Sequence, residues 1–200
     1  MDRVALENRI NELKAKQDTI EKAWRKRDGN NELLQFFVEV MPKAMDAERC
    51  SIFVLDPVND KVWLHSGTGL TERSVEVPKS SSLVGRVISD GQAIIENEME
   101  AQVGAHDVIA VRTGFSVRNA VCVPVHGVTT QRITGAIQVL NKRGRGTFES
   151  DDQKTLEKLA FLLQMNIENI FLRQELGRLI TEMDKQIKMM EKQLGQGPSS

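Results

Sequence analysis

The sequence holds few of the residues that most often carry metal or redox chemistry. Its 200 residues include two cysteines, three histidines and no tyrosine. Two cysteines do not make a disulfide framework, and reduced thiols are the default in the cytosol. The histidines, His65, His106 and His126, lack the close cysteine or carboxylate spacing that is typical of zinc sites. The composition therefore argues against a disulfide-stapled or zinc-binding protein.

Long apolar runs and an excess of charge of either sign are also absent. The 27 basic and 28 acidic residues nearly cancel, so no global field draws the chain towards nucleic acid or an anionic membrane. No stretch approaches 18 consecutive apolar residues, and the charged N-terminus lacks the apolar core of a signal peptide. Nucleophile-elbow, phosphate-loop and His-Glu-x-x-His motifs do not occur. We therefore expect a cytoplasmic protein that is not an enzyme of these classes.

One stretch, TGFSVRNAVCVPVHG, places Cys122 four residues before His126. Strand alternation would put both side chains on one face, about 13 Å apart. A nucleophile and its base must approach to about 3 Å, so the pair is not a catalytic dyad. Cys50 and Cys122, set among apolar residues, are interpreted as small core side chains. A thiol-redox enzyme or sensor that uses both cysteines is an alternative, and the sequence leaves open whether they lie on neighbouring strands.

The middle of the chain mixes strand and helix patterns. Strands are predicted from period-two alternation in RCSIFVLDP, KVWLHSG, RSVEVPK, RNAVCVPVHG and ITGAIQVLNK. Helices are predicted for ELLQFFVEVMPKAM and for SLVGRVISDG, which Gly91 closes. Strands with helices at both ends favour an α+β fold with a central antiparallel sheet.

Both ends of the chain show heptad spacing. Near the N-terminus the apolar positions are Leu6, Ile10, Leu13, Gln17, Ile20 and Trp24. These predict a coiled-coil helix; a helix lying on its own domain is the alternative. After Ser150, a helix about 65 Å long is expected to run to residue 194. Its 3–4 spacing defines a seam of Leu162, Met165, Asn169, Leu172, Leu176, Leu179, Met183, Gln186 and Met190.

A helix of that length cannot be covered by one small domain, so its seam needs a partner. We expect a parallel homodimer through the N- and C-terminal helices, with antiparallel and heteromeric arrangements as alternatives. Asn169, polar at a seam position, is of the kind that fixes register and strand number. No nucleic-acid or membrane partner is expected.

Four segments, in order, resemble the GAF domain of cyclic-nucleotide phosphodiesterases and bacterial adenylyl cyclases. They are AERCSIFVLDP, SLVGRVISDGQAIIENE, TGFSVRNAVCVPV and ITGAIQVLNKRGRGTFESDDQ. The resemblance covers about residues 30–172 and implies a GAF-type antiparallel sheet with helices on its faces. The predicted organisation is an N-terminal coiled-coil helix at 1–28, a GAF domain at 29–172, a coiled-coil extension at 173–194 and a disordered tail at 195–200.

The resemblance also implies a small-ligand pocket. Its candidate residues are Ser51, His65, Ser66, Leu83, Val84, His106, Thr113, Arg118 and Gln138. Against the cyclic-nucleotide pattern, Ala110 replaces an aspartate, Val117 replaces a threonine, and His65-Ser66 replace a Phe-Asp pair. Losing such polar partners costs specificity, so the ligand could be another small molecule or a cyclic nucleotide. No metal, catalytic residue or obligatory cofactor is implied.

A second part of the resemblance is the family's Asn-Lys…Phe-x-x-x-Asp-Glu signature, present here as Asn141, Lys142, Phe148 and Asp152, with Gln153 in place of the glutamate. We expect Lys142 to pair with Asp152 and Phe148 to lie beneath the turn, which would latch the last strand to the long helix. The predicted function is a non-enzymatic dimeric sensor that signals through this helix to an unknown effector. A ligand-free dimerisation scaffold and a thiol sensor are the alternatives.

Overall fold

The computed structural model describes residues 4–5, 7–15, 29–57, 59–70, 75–99 and 115–195. Its elements follow the order predicted from the sequence. They are α1 (Gly29–Ala44), β1 (Ala47–Asp56), β2 (Lys61–Gly67), β3 (Val75–Val77), α2 (Leu83–Asp90), β4 (Ile94–Glu96), β5 (Ala120–His126), β6 (Ile133–Lys142), a 3-10 turn (Arg143–Arg145) and α3 (Ser150–Gly195). The described contacts divide the chain into two compact units, one of residues 29–171 and one of residues 1–28 with 172–200.

The larger unit is built on one six-stranded sheet with the order β3-β2-β1-β6-β5-β4. Each neighbouring pair of strands is antiparallel. The two longest strands, β1 and β6, lie at the centre and are largely buried. This arrangement confirms the predicted α+β fold with a central antiparallel sheet.

Helices cover both faces of the sheet. Side chains such as Phe53, Cys122 and Leu140 pack in one core with Val84 and Val87 of α2. On the other face α1 packs over β1 and β2. Helix α3 also lies there, and it approaches β6 so closely that a Cβ on Gly135 would lie 3.1 Å from Ile167 Cγ2. A Cβ at this position would also clash with the Phe53 carbonyl oxygen of β1, so glycine at 135 accommodates first the neighbouring strand and then the long helix.

Local sequence signals set the limits of α2 and the start of α3. The Ser82 Oγ accepts a hydrogen bond from the Gly85 amide (3.0 Å), which caps the first turn of α2. Gly91 ends α2 in the left-handed conformation, with φ of 70°, which glycine adopts without strain. In α3, Asp151 and Asp152 stand in the first turn, where carboxylates favour the helix dipole.

The smaller unit joins the two ends of the chain. Residues 7–15 are helical, and Ile10 and Leu13 pack with Ile187, flanked by Met183 and Met190. The Lys14 Nζ lies 2.8 Å from the Glu191 Oε1. Two residues of the predicted seam, Met183 and Met190, therefore contact the N-terminal helix of their own chain. The N-terminal positions Leu6, Gln17, Ile20 and Trp24 and the residues after Gly195 lie outside the described residues.

None of the described helices is both long and apolar enough to cross a lipid bilayer.

Candidate functional site

A row of polar side chains crosses the centre of the sheet on the face that α2 covers. Ser51 on β1 is paired with Gln138 on β6, and Gln138 is paired with Cys122 on β5. Gln138 alternates with Ala136 and Leu140, and Ser51 with Phe53, all of which belong to the α2-side core. Strand register therefore brings together Ser51 and Gln138, two candidates from the sequence.

Gln138 is 2% exposed, and its Oε1 has no hydrogen-bond donor within reach among the residues that the structure describes. A buried acceptor without a partner costs about 1–3 kcal/mol. Gln138 shares its face of the sheet with the apolar α2-side core, to which Leu83 and Val84 belong. A small molecule with an N–H or O–H group on this face would satisfy the oxygen, so the row is a candidate site for a ligand.

Two further candidates, His65 and Ser66, lie on β2, and the pairing of Ser66 with Ile52 directs Ser66 to the face opposite this row. Ser66 on β2 is buried and lies opposite Ile52, one residue from the Ser51–Gly67 pair. The His65 Nδ1 lies 3.1 Å from the Ser66 Oγ, beside a register shift in the β1–β2 pair. His106 and Thr113 lie outside the described residues, as does Ala110. Val117, where the family pattern has a threonine, is buried in the α2-side core.

Arg118 is held in a structural contact at the end of β6. Its Nη2 donates to the Glu48 Oε1 (2.8 Å) and its backbone N–H to the Asn141 Oδ1 (2.8 Å). Burial raises the pKa of Glu48, but hydrogen bonds from Asn141 and Arg118 outweigh it and hold that pKa below its usual value. The guanidinium of this candidate pocket residue therefore has a carboxylate partner within the fold.

Three of the latch residues, Lys142, Phe148 and Asp152, lie close together where β6 leads into α3, whereas Asn141 bonds to Glu48 and to the segment before β5. The Lys142 Nζ lies 2.6 Å from the Asp152 Oδ1, and each side chain is about four-fifths buried. Phe148 is fully buried beneath the same lysine, whose Nζ is 5.7 Å from the ring centroid. The side chain of Asn97 holds the Phe148 backbone, since its Nδ2 donates to the Phe148 carbonyl and its Oδ1 accepts from the Phe148 amide. The end of β6 is thus fixed to the start of α3.

We expect a double-mutant cycle on this latch, Lys142→Met and Asp152→Asn, to give a coupling energy of about 1 kcal/mol or more. The pair is largely buried, and so it is screened less than an exposed ion pair. Chemical denaturation of the four proteins measures the coupling. The same cycle on the exposed pair Arg178–Glu182 is the control and should give about 0.5 kcal/mol or less. Equal coupling in both cycles would contradict the latch.

A second clamp, centred on Glu168 of α3, was missed by the sequence analysis. Glu168 is 3% exposed, and its carboxylate accepts hydrogen bonds from three backbone amides and two hydroxyls of residues 128–130, the turn between β5 and β6. Burial raises its pKa, but the hydrogen bonds from Thr129 and Thr130 outweigh burial and lower the pKa to about 2. The carboxylate therefore holds the turn against the helix.

The Lys142–Asp152 latch and the Glu168 clamp together act as two clamps, one at each end of β6, that tie this strand to α3. The turn before β6 is held by Glu168, and Lys142 at its last position is held by Asp152. Gln138 lies on the strand between them. Gln138 therefore lies on a strand that is fixed to α3 before its first residue and at its last residue by two largely buried contacts.

The cysteines are not arranged for joint chemistry. β6 lies between β1, which carries Cys50, and β5, which carries Cys122, so the two cysteines are not on neighbouring strands. Cys122 belongs to the α2-side core, whereas alternation from Phe53 directs Cys50 to the opposite face. Burial raises the pKa of the Cys50 thiol, which disfavours the reactive thiolate. The neighbouring-strand placement considered for these two cysteines is therefore wrong.

Cys122 and His126 are also separate. Cys122 is fully buried opposite Gln138, whereas His126 is exposed and lies opposite Ile133, beyond a register shift. His126 lines a surface cleft of about 520 Å³ between β5 and α3. Among the residues described, no group of three or more His, Cys, Asp or Glu could hold a metal ion.

Comparison with known proteins agrees with this architecture. The family model described as GAF domain matches residues 31–169. The dual 3′,5′-cyclic-AMP and -GMP phosphodiesterase 11A of Takifugu rubripes is 27% identical over 125 residues, which are 56% of this chain and 14% of that protein. This chain thus spans only a small part of that relative.

Two solved structures share the fold at low sequence identity. The GAF domain of a phosphoenolpyruvate-protein phosphotransferase from Coxiella burnetii has a TM-score of 0.62 at 14% identity and covers 86% of this chain and 98% of its own. A type II free methionine-R-sulfoxide reductase from Thermoplasma acidophilum has a TM-score of 0.58 at 15% identity, covering 70% and 93%. The same fold therefore occurs both in a GAF domain that is one part of a phosphotransferase and in a sulfoxide reductase.

Proposed function

This chain belongs to the GAF domain family, and we propose that it is a cytoplasmic, non-enzymatic sensory module. A small ligand binds at Gln138 on the α2-covered face of the sheet, and its presence is reported through α3. The observation that carries this proposal is the buried Oε1 of Gln138 in an apolar core, which no donor among the described residues satisfies. A polar side chain at the centre of such a core is costly unless a ligand satisfies it.

The route of the signal is supported by the two clamps on β6. Because Asp152 and Glu168 hold the two ends of the ligand-contacting strand, a ligand that shifts β6 also shifts α3. Such coupling requires the ligand to bind two arrangements of the helix with different affinities. The output is carried by an effector that contacts the C-terminal helix.

We propose that the sensor acts as a parallel homodimer through the seam of α3. Leu162, Met165 and Leu179 are exposed in the single chain. Their 3–4 spacing is that of a helix which packs against another helix.

The non-enzymatic part of the proposal is supported by the separation of the two buried cysteines and by the engagement of Arg118 with Glu48.

A thermal-shift screen with a Gln138→Leu variant tests the ligand site. The panel includes cAMP and cGMP, which the name of the phosphodiesterase relative suggests, together with common small metabolites. We expect one compound to raise the melting temperature of the wild type by several degrees, since a ligand at 100 times its Kd adds about 2.7 kcal/mol. Gln138→Leu should abolish this shift, because it removes the acceptor.

Gln164→Leu, on α3 and therefore on the other side of the sheet, is the matched control and should keep the shift. Mass spectrometry of the denatured protein tests in parallel for a molecule that is retained through purification. If no compound stabilises the wild type and none is retained, the ligand-free dimerisation scaffold is the better description. A shift that survives in Gln138→Leu would place the ligand elsewhere.

A further inference from the structure

One arginine lies on the same face of the sheet as the polar row, two residues before Ser51 on β1. Arg49 is opposite Leu140 of β6, which belongs to the α2-side core. Since side chains alternate along a strand, Arg49 shares the α2-covered face with Ser51 and Phe53. Its side chain is only partly buried there. A cationic group therefore lies at one end of the face that carries the candidate ligand site.

The guanidinium of Arg49 is stacked on an aromatic ring and has no carboxylate partner among the residues that the structure describes. Its Cζ lies 3.8 Å from the centroid of the Phe115 ring. The adjacent Glu48 alternates to the other face and accepts from Arg118 and Asn141. A guanidinium that stacks on a ring keeps its in-plane N–H donors for other acceptors. Arg49 can therefore bind an anion.

The segment that carries Phe115 is fixed to the end of β6. The buried Asn141 donates from its Nδ2 to the Ser116 carbonyl oxygen (2.8 Å). Its Oδ1 accepts from the Arg118 backbone N–H (2.8 Å). Because Phe115 is held in place by the residues that follow it, the guanidinium of Arg49 is held against a fixed surface. Such preorganisation lowers the entropy cost of binding a ligand.

Strand register sets the distance between the guanidinium and the unsatisfied oxygen of Gln138. Gln138 lies opposite Ser51, and Arg49 lies opposite Leu140, so Arg49 and Gln138 are diagonal neighbours in the β1–β6 pair. Diagonal neighbours are about 7–8 Å apart, which a long side chain can bridge. A molecule of small-metabolite size can therefore contact Gln138 with an N–H or O–H group and the guanidinium with an anionic group.

We propose that Arg49 binds the anionic group of the ligand, so that the molecule held at Gln138 is a small organic anion. Its carboxylate or phosphate accepts from the planar guanidinium, which suits bidentate contact, and its N–H or O–H group donates to Gln138. A neutral molecule that covered Arg49 would desolvate the charge without compensating it, which disfavours binding. The proposal rests on the ligand site proposed above and adds the charge of the ligand.

Isothermal titration calorimetry with matched anionic and neutral compounds tests the role of Arg49. The carboxylate arm compares orotate with uracil and indole-3-acetate with indole-3-acetamide. The phosphate arm compares cAMP with adenosine and cGMP with guanosine. We expect at least one anion to bind the wild type about tenfold or more tightly than its neutral counterpart, and the arm that contains it identifies the anionic group.

Arg49→Gln should raise the Kd of that anion about 10- to 100-fold, because it removes a charged hydrogen-bond donor. The Kd of the neutral counterpart should stay within about twofold. Arg49→Lys keeps the charge but not the planar fork, so a loss of about 3- to 10-fold is expected. Arg132→Gln is the matched control and should bind like the wild type, since Arg132 also lies over a phenylalanine, Phe171 of α3 (5.3 Å).

Three outcomes would overturn the role of Arg49. If an anion and its neutral counterpart bind equally well and Gln138→Leu abolishes both, the site at Gln138 stands but Arg49 does not select the charge. If Arg49→Gln weakens both compounds equally, or Arg49→Lys leaves the preference unchanged where Arg49→Gln does not fold, Arg49 is structural. If no compound of either arm binds, the proposal fails, and the wider thermal-shift screen with Gln138→Leu decides separately whether the ligand site fails with it.

Discussion

Replacing Glu168 by glutamine is expected to lower the free energy of unfolding by about 3 kcal/mol at pH 7. The carboxylate is buried and accepts hydrogen bonds from the amides and hydroxyls of the β5–β6 turn. The fall of its pKa from 4.5 to about 2 corresponds to this amount of stabilisation. Glutamine has the same shape but no charge, and its side-chain NH2 group would face the N–H and O–H donors of the turn. Urea denaturation of the two proteins measures the difference.

The pH dependence of that difference identifies its source. Because the folded pKa lies below the unfolded value, the stabilisation is fully present above about pH 4.5 and is lost as the pH falls through about 2. The difference between wild type and Glu168→Gln should therefore shrink to about 1 kcal/mol near pH 3. Other acidic groups, including Glu48, cancel in this comparison because both proteins contain them.

Glu157→Gln is the control on the same helix, because Glu157 is exposed and accepts from Gln153 on the helix surface. It should change stability by about 0.5 kcal/mol or less. An equal effect of the two substitutions, or a Glu168 effect that is constant from pH 7 to pH 3, would show that the carboxylate does not clamp the turn.

Phe148→Ala is expected to cost about 3–5 kcal/mol of unfolding free energy. The ring is one of the largest fully buried side chains, and it fills the space beneath Lys142 where β6 turns into α3. Truncation removes this buried apolar surface and leaves a cavity, and both effects destabilise the fold. The loss should also weaken the Lys142–Asp152 pair above it, so the cost is expected at the upper end. Thermal and urea unfolding both measure it.

Phe148→Leu is the matched control, since leucine keeps much of the volume and should cost about 1–2 kcal/mol. In Phe148→Ala, a ligand that stabilises the wild type should no longer protect the α3 amides, because the turn from β6 into α3 is loosened. This is expected even if the ligand proposed at Gln138 still binds. Hydrogen exchange of the α3 amides with and without the ligand measures that effect. Similar costs for alanine and leucine would mean that the ring does not fill the space.

Most strands and helices of the fold could be predicted from local sequence patterns. The strand predictions for KVWLHSG and RNAVCVPVHG correspond to β2 and β5, and SLVGRVISDG with its closing Gly91 corresponds to α2. These predictions succeed because alternation, caps and breakers act within a few residues of one another. The four ordered segments that resemble the GAF domain were sufficient to identify the family, which the match over 31–169 confirms.

The candidate site could be predicted only in part. Gln138 and Ser51 were chosen from the resemblance, and strand register brings them together. Arg118 was chosen with them, yet it pairs with Glu48, about 70 positions away along the chain, a partner that no local pattern indicates. Glu168 was missed for the same reason. In the sequence it is one more acidic residue on a charged helix, 38–40 residues from the amides that it accepts.

By itself, the sequence determined the strands, the helices, their order and the family, because each depends on periodicity or on a short ordered motif. The tertiary structure alone decided that β6 separates the two cysteines, that Gln138 is left without a described partner, and that Glu168 and Asp152 tie both ends of β6 to α3. These features depend on which strands become neighbours and which side chains are buried together. Both are set by contacts between residues far apart in the chain, and such contacts cannot be predicted from a short stretch of sequence.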